Sequence, residues 1–182
     1  IINAVSNAEM ISIYINANDY NEGSVSVLTI EYNEKGTSYF HNLSLNNADD
    51  EICTFPKINY HSVISVRASV FQKIIRDLSC ISDKLEIKSV GNELIFKCSG
   101  QFASAEIHRA ESDGSMGFIQ KQDSSKIIQG EFSLKNLGYF IKCTNLCQQV
   151  EMYLANDLPL VVKYDVASLG SIKLCLSALP ST

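Results

Sequence analysis

The chain has 182 residues, is 46% hydrophobic and 19% charged, and carries a formal net charge of -5. That profile leaves room for one or two globular domains. It contains no apolar run near the roughly 18 residues of a membrane span, and its acidic balance excludes a uniformly basic nucleic-acid binder while permitting positive charge gathered on one surface.

No signal peptide is visible, and the chain opens on Ile1 rather than Met, so it reads as a piece of a longer sequence. The strand signal dominates the first third. Ile11, Ile13 and Ile15 alternate with Ser12, Tyr14 and Asn16, Val25, Val27 and Thr29 alternate with Ser26, Leu28 and Ile30, and the alternation returns over Tyr39 to Leu45. Asn/Asp/Gly clusters at 18–23 and 33–36 separate these runs, so 10–46 is expected to be a three-stranded antiparallel meander. An acidic, aperiodic stretch from Asn46 to Glu51, followed by an apolar patch ending at Pro56, reads as a linker running to about Asn59.

A second block follows. Ser62 to Val66 is expected to be a strand, and Val70, Phe71, Ile74, Ile75 and Leu78 share one face of a helix over 68–80. Strands are expected near 84–90, 93–99 and 102–110, then a polar loop over 111–126. The pattern then repeats: a strand at 127–132, a helix at 133–146 with Leu134, Leu137 and Ile141 inward, and strands near 148–155, 158–164 and 171–178. A β-α-β-β-β unit thus occurs twice, at a spacing of about 65 residues, which is an architectural signal. Two such units are expected to join their sheets into one continuous surface, with both helices on the same face. Residues 1–46 fit the end of a further unit that lacks its first strand and most of its helix.

The outward helix faces carry Lys73, Arg76 and Cys80 on one helix and Lys135, Tyr139 and Lys142 on the other; Asp77 is the only acidic residue in either. The plainer reading is a solvated helix face. The sharper one is a basic layer that follows a phosphate backbone without reading bases. Catalytic constellations are scarce: there is no glycine-rich phosphate loop, and nothing brings Ser, His and Asp together. The six cysteines (Cys53, Cys80, Cys98, Cys143, Cys147 and Cys175) match no disulfide framework and read as reduced thiols. Cys143 and Cys147 are one helical turn apart, yet His41, His61 and His108 are remote in sequence. No metal, cofactor or enzymatic chemistry is expected.

Four segments resemble the proliferating cell nuclear antigen family of DNA sliding clamps. FQKIIRDLSCISD, from Phe71 to Asp83, is similar to the helix of the clamp's second domain, and LKNLGYFIKCTNL, from Leu134 to Leu146, to its counterpart in the second half. DLPLVVKY, from Asp157 to Tyr164 and followed by Gly170 and Lys173, resembles a strand near the clamp's C-terminus. Thr54-Phe55-Pro56, four residues ahead of Tyr60, looks like the end of the interdomain connector.

The resemblance implies an α+β sliding-clamp fold of repeated β-α-β-β-β units, with helices on one face of antiparallel sheets. It places the C-terminal part of a first clamp domain at 1–46, the connector at 47–59 and the second clamp domain at 60–182. It implies a ring-shaped, homotrimeric processivity factor for DNA polymerase that encircles double-stranded DNA without sequence specificity. A clamp loader and proteins bearing clamp-binding peptides would be its partners; no membrane is involved. Its place would be the nucleus, or a viral replication site or the cytoplasm for a protein that is not nuclear.

Residue by residue, the resemblance turns Lys73, Arg76, Lys135 and Lys142 toward the duplex. Partner peptides would dock at Cys53, Phe55, Pro56, Pro159, Cys175, Ser177 and Ala178. Subunits would pair through two strands bearing Tyr39, His41 and Leu43, and Ala105, Ile107 and Arg109. The chain departs from the family where Cys175 replaces an aromatic pocket wall, where Ser177-Ala178 replaces an Ala-Pro pair, and where Gly91 stands at the position of a modified lysine. Two other readings remain open on sequence alone: one subunit of a heterotrimeric checkpoint-type clamp, and a β-rich enzyme or peptide-binding domain unrelated to DNA.

Overall fold

A computed structural model describes residues 10–21, 24–45, 58–111, 114–121 and 126–180. The chain divides into two compact units, Ile1–Pro56 and Lys57–Thr182.

In the first unit, β1 (Ile11–Tyr14), β4 (Val27–Glu34) and β5 (Thr37–Ser44) form an antiparallel sheet in the order β1-β4-β5. This is the expected meander, with one addition: β2 (Tyr20–Asn21) and β3 (Ser24–Val25) pair as a short ribbon within the segment read as a turn. The β4–β5 hairpin closes on two residues, Lys35 and Gly36, both at positive φ (47° and 79°). Two such residues match the right-handed strand twist, which fixes the register. One sheet face is apolar: Ile11 sits across from Tyr32, and Tyr32 across from Tyr39. Tyr32 stacks on Tyr39 at 4.9 Å and on His41 at 5.6 Å.

The second unit carries two sheets and a helical layer. β6 (Ser62–Arg67) leads into α1 (Ala68–Ser79), then β7 (Lys84–Val90), β8 (Glu93–Ser99), β9 (Ser104–Ala110) and β10 (Met116–Gln120). β11 (Ile128–Ser133) leads into α2 (Leu134–Phe140), a 3₁₀ segment (Ile141–Leu146), β12 (Gln149–Leu154), β13 (Leu160–Val166) and β14 (Gly170–Leu176). α1 forms because its apolar residues recur at helical spacing: Phe71, Ile74, Ile75 and Leu78 are all 2% exposed or less. Each such burial stabilises the fold by roughly 1.5–3 kcal/mol.

The two repeats exchange their first strands. β6 lies between β10 and β12 in a sheet ordered β10-β6-β12-β13-β14, while β11 joins β7 in the sheet ordered β11-β7-β8-β9. Val66 pairs with Val150 in the first, and Phe132 with Leu85 in the second. The single continuous surface expected from sequence is therefore two separately hydrogen-bonded sheets. Each repeat unit contributes strands to both, because each helix carries the chain from one sheet to the other. α1 does pack beside α2 and the 3₁₀ segment, as expected.

Two further expectations are corrected. The 111–126 segment is not all loop: β10 pairs antiparallel with β6, with a register shift after Phe118. Met116 enters the core and Phe118 packs against it. Two apolar residues on alternate positions suffice for a strand, although the flanking polarity masked them. The second helix is also shorter than 133–146. Ser133 caps it by accepting from Asn136 N, but after Phe140 it tightens into 3₁₀ geometry. The hydroxyl of fully buried Tyr164 donates to the Phe140 carbonyl (2.9 Å), the group a continuing α-helix would offer four residues on. Burial holds that phenol well above its ordinary range, so it stays a neutral donor.

Candidate nucleic-acid interface and docking face

Lys73 and Arg76 lie on the exposed side of α1, one turn apart; Lys135 is in the first turn of α2, and Lys142 is on the 3₁₀ segment. All four are exposed. The helices that carry them are held together by shared apolar packing and by Gln72 Nε2, which donates to the Ile141 carbonyl across the layer (3.4 Å). Lys142 Nζ also lies 5.1 Å from the centre of the Tyr139 ring, a cation–π contact.

The charge environment separates these four from the strand lysines Lys84, Lys88, Lys97 and Lys163, though not from Lys173 on β14. Lys84, Lys88 and Lys97 lie 3.6, 3.0 and 3.9 Å from Glu131, Glu86 and Glu106. Lys163 lies 3.3 Å from Glu151 and 3.0 Å from Asp165. Among the described residues, no carboxylate comes within ion-pair distance of Lys73, Arg76, Lys135 or Lys142. Nor does Lys135 serve its own helix, since the positive end of the helix dipole disfavours a cation in the first turn. A layer of uncompensated cations can attract a polyanion without discriminating among sequences.

Of the residues expected to dock peptides, Cys53, Phe55 and Pro56 lie outside the described residues. Pro159, half-buried, precedes β13, while exposed Cys175, Ser177 and Ala178 lie on β14 and just beyond it. Tyr60, read from sequence only as a landmark, donates its hydroxyl to the Pro159 carbonyl (3.3 Å) and meets the Tyr153 ring edge-on at 5.6 Å. Tyr153 was not legible as part of this face. Its strand alternates evenly, and only the pairing of β12 with β13 reveals its neighbours. Burial, then the hydrogen bond to Glu151, pushes its phenol up to about 12, so it donates to that carboxylate as a neutral group.

The two strands expected to pair subunits are β5 and β9, and each is an edge of its sheet among the described residues. An edge strand offers a row of backbone donors and acceptors to another chain. The named side chains other than exposed Tyr39 are partly buried, however. Ala105 and Ile107 pack on the unit's own core, Arg109 is half-buried, and Tyr39, His41 and Leu43 share the apolar face with Tyr32 and Leu28. On β9 the outward positions are Glu106 and His108. His108 is held at both ring nitrogens, 2.9 Å from Glu106 and 3.3 Å from Glu93.

Among the described residues, no group of three or more His, Cys, Asp or Glu converges as metal ligands would. Cys147 donates instead to the Gln149 carbonyl, 2.9 Å away. No helix among those residues is long and apolar enough to cross a membrane.

Comparison with known proteins bears on the same residues. The family model for the proliferating cell nuclear antigen, C-terminal domain, matches residues 54–179. The chain is 33% identical over 171 residues to a probable DNA polymerase sliding clamp of Acanthamoeba polyphaga mimivirus, covering 86% of this chain and 36% of that protein. It is 32% identical over 165 residues to probable DNA polymerase sliding clamp 1 of Paramecium bursaria Chlorella virus 1, covering 88% of this chain and 62% of that one. The chain therefore spans less than two thirds of the length of either relative. The interlocked repeat, the helix layer and the family match over most of the chain lead to one assignment: the chain belongs to the proliferating cell nuclear antigen family.

Proposed function

We propose that this chain is part of a DNA sliding clamp, a non-enzymatic ring that encircles duplex DNA and holds a polymerase to its template. The observation that carries this reading is the set of four exposed cations gathered on the helix layer without carboxylate partners among the described residues, whereas the strand lysines Lys84, Lys88, Lys97 and Lys163 each have one. Lys73, Arg76, Lys135 and Lys142 then make screened contacts to phosphates, weak enough individually to allow sliding. Residues 1–46 belong to a first clamp domain, 47–59 to the connector and 60–182 to the second domain.

Three copies close head-to-tail by joining the β5 edge of one subunit to the β9 edge of the next, which satisfies two otherwise open edges. Partner proteins, polymerase and clamp loader among them, dock short peptides on the face bearing Pro159, Cys175, Ser177 and Ala178. The viral sources of the relatives favour a viral replication site over the nucleus.

The test is the salt dependence of affinity for duplex DNA. Each of Lys73→Ala, Arg76→Ala, Lys135→Ala and Lys142→Ala is expected to weaken binding equally for unrelated sequences. Each should also reduce the slope of log K against log[salt] by about 0.9 for every phosphate that is no longer neutralised. Slopes unchanged in all four variants would remove the reading.

A further inference from the structure

One aromatic ring stands within the basic layer itself. Tyr139, in the last turn of α2, is 56% exposed, while Leu137 and Phe140 on either side of it enter the core. Among the described residues its hydroxyl has no hydrogen-bond partner, and its ring meets a single charged or aromatic group, the Lys142 ammonium. Neither burial nor hydrogen bonding therefore accounts for a ring at this position.

The charges around the ring are all of one sign. Lys135 stands one helical turn before Tyr139 on the same face, and Lys142 follows three residues after it. At ordinary helical rise the two lysines are about 11 Å apart along the axis, one on each side of the ring. Neither has a carboxylate within ion-pair distance among the described residues. The approach is open as well: residue 138 is glycine, and a Cβ there would meet no atom within 4 Å. An ammonium over one face of the Tyr139 ring leaves the other face free.

Cation, exposed ring and cation in sequence suit a strand of phosphates with an unpaired base between them. The phosphates complement the two lysines, and the base brings a π face that stacks on the phenol. Stacking tolerates any base, in keeping with a layer that reads no sequence. A duplex offers the phosphates alone, because its bases are held inside the helix. An acidic peptide likewise offers the charge without the ring.

We propose that Tyr139, bracketed by Lys135 and Lys142, is a stacking site for an unpaired base of single-stranded DNA. This rests on the helix layer being the DNA-binding face, and it adds a ligand that the four cations alone do not distinguish from duplex. The single-stranded template beside a polymerase supplies such a base.

The experiment compares labelled oligo(dT) with a labelled blunt duplex of equal length, both titrated against the full chain by fluorescence anisotropy. Tyr139→Ala is expected to lower the ratio of oligo(dT) to duplex affinity by about tenfold. The slope of log K against log[salt] should stay as in the wild type, because stacking releases no counterions. Tyr139→Phe, which keeps the ring, should hold the ratio within about twofold of wild type. Lys142→Ala acts differently, reducing the salt slope for both ligands.

The chain contains no Trp, so Tyr139→Trp places a single indole at the site. Oligo(dT) is expected to quench its emission more than the duplex does. A ratio unmoved by Tyr139→Ala, or equal quenching by both ligands, would overturn this inference and leave the duplex-binding reading standing. A larger Tyr139 dependence for oligo(U) than for oligo(dT) would overturn the assignment to DNA. A wild type that binds neither DNA ligand would overturn the reading of the helix layer itself.

Discussion

At the level of single residues, charge and hydrogen bonding separate groups that the sequence presents alike. Lys73 and Lys97 are both exposed lysines, yet only Lys97 has a carboxylate partner, Glu106 at 3.9 Å. His108 offers a sharper case. Hydrogen bonds to Glu93 first, then to Glu106, favour its imidazolium, so its pKa stands above the ordinary 6.5. A raised folded-state value means that the stabilisation is fully present below pH 6.5. It is lost as pH climbs through the raised value. An NMR titration of His108 should give a midpoint above 6.5, and Glu93→Gln or Glu106→Gln should each bring it down. A midpoint at or below 6.5 would show that the two carboxylates do not hold the imidazolium. The sequence shows Glu93, Glu106 and His108 but not their convergence, because β8–β9 pairing brings Glu93 within reach of a residue fifteen positions away.

At the level of elements, periodicity located most of the structure. α1 was legible because Phe71, Ile74, Ile75 and Leu78 recur at helical spacing and all become core. β7 and β8 were legible because Leu85 and Ile87 alternate with charged residues, and Leu94, Phe96 and Cys98 recur at every second position. What failed to show was decided by tertiary partners. β10 depends on β6 to pair with, and the end of α2 depends on Tyr164. Tyr164→Phe, leaving the ring in place, is expected to lower stability by about 1–3 kcal/mol by orphaning a buried carbonyl. It should also loosen the 3₁₀ turn that carries Lys142. Chemical denaturation measures the first effect and amide exchange over 141–146 the second; an unchanged midpoint would show that the hydrogen bond contributes little.

At the level of the whole molecule, the repeat was visible in the sequence, but its interlocking was not, because a spacing of about 65 residues says nothing about which sheet each first strand joins. Exchange of β6 and β11 makes neither half of the 57–182 unit complete without the other. Phe132→Ala, in β11, should therefore destabilise the first half's sheet as much as its own half. The expected loss is about 3–5 kcal/mol, with amides of β7 and β12 exchanging together. Separate transitions for the two halves would contradict that cooperativity. The candidate site divides along the same line. The basic positions were legible from helical spacing, the edge strands from the resemblance, and the Tyr60–Tyr153 ring contact only from the folded chain.

The central claim is topological. It is tested most directly by loading the protein onto closed circular duplex DNA, raising the salt until surface-bound protein is stripped, and then linearising the circle. A ring that encircles DNA is expected to stay on the closed circle and to leave once an end is cut. Equal release from circular and linear DNA would contradict the account.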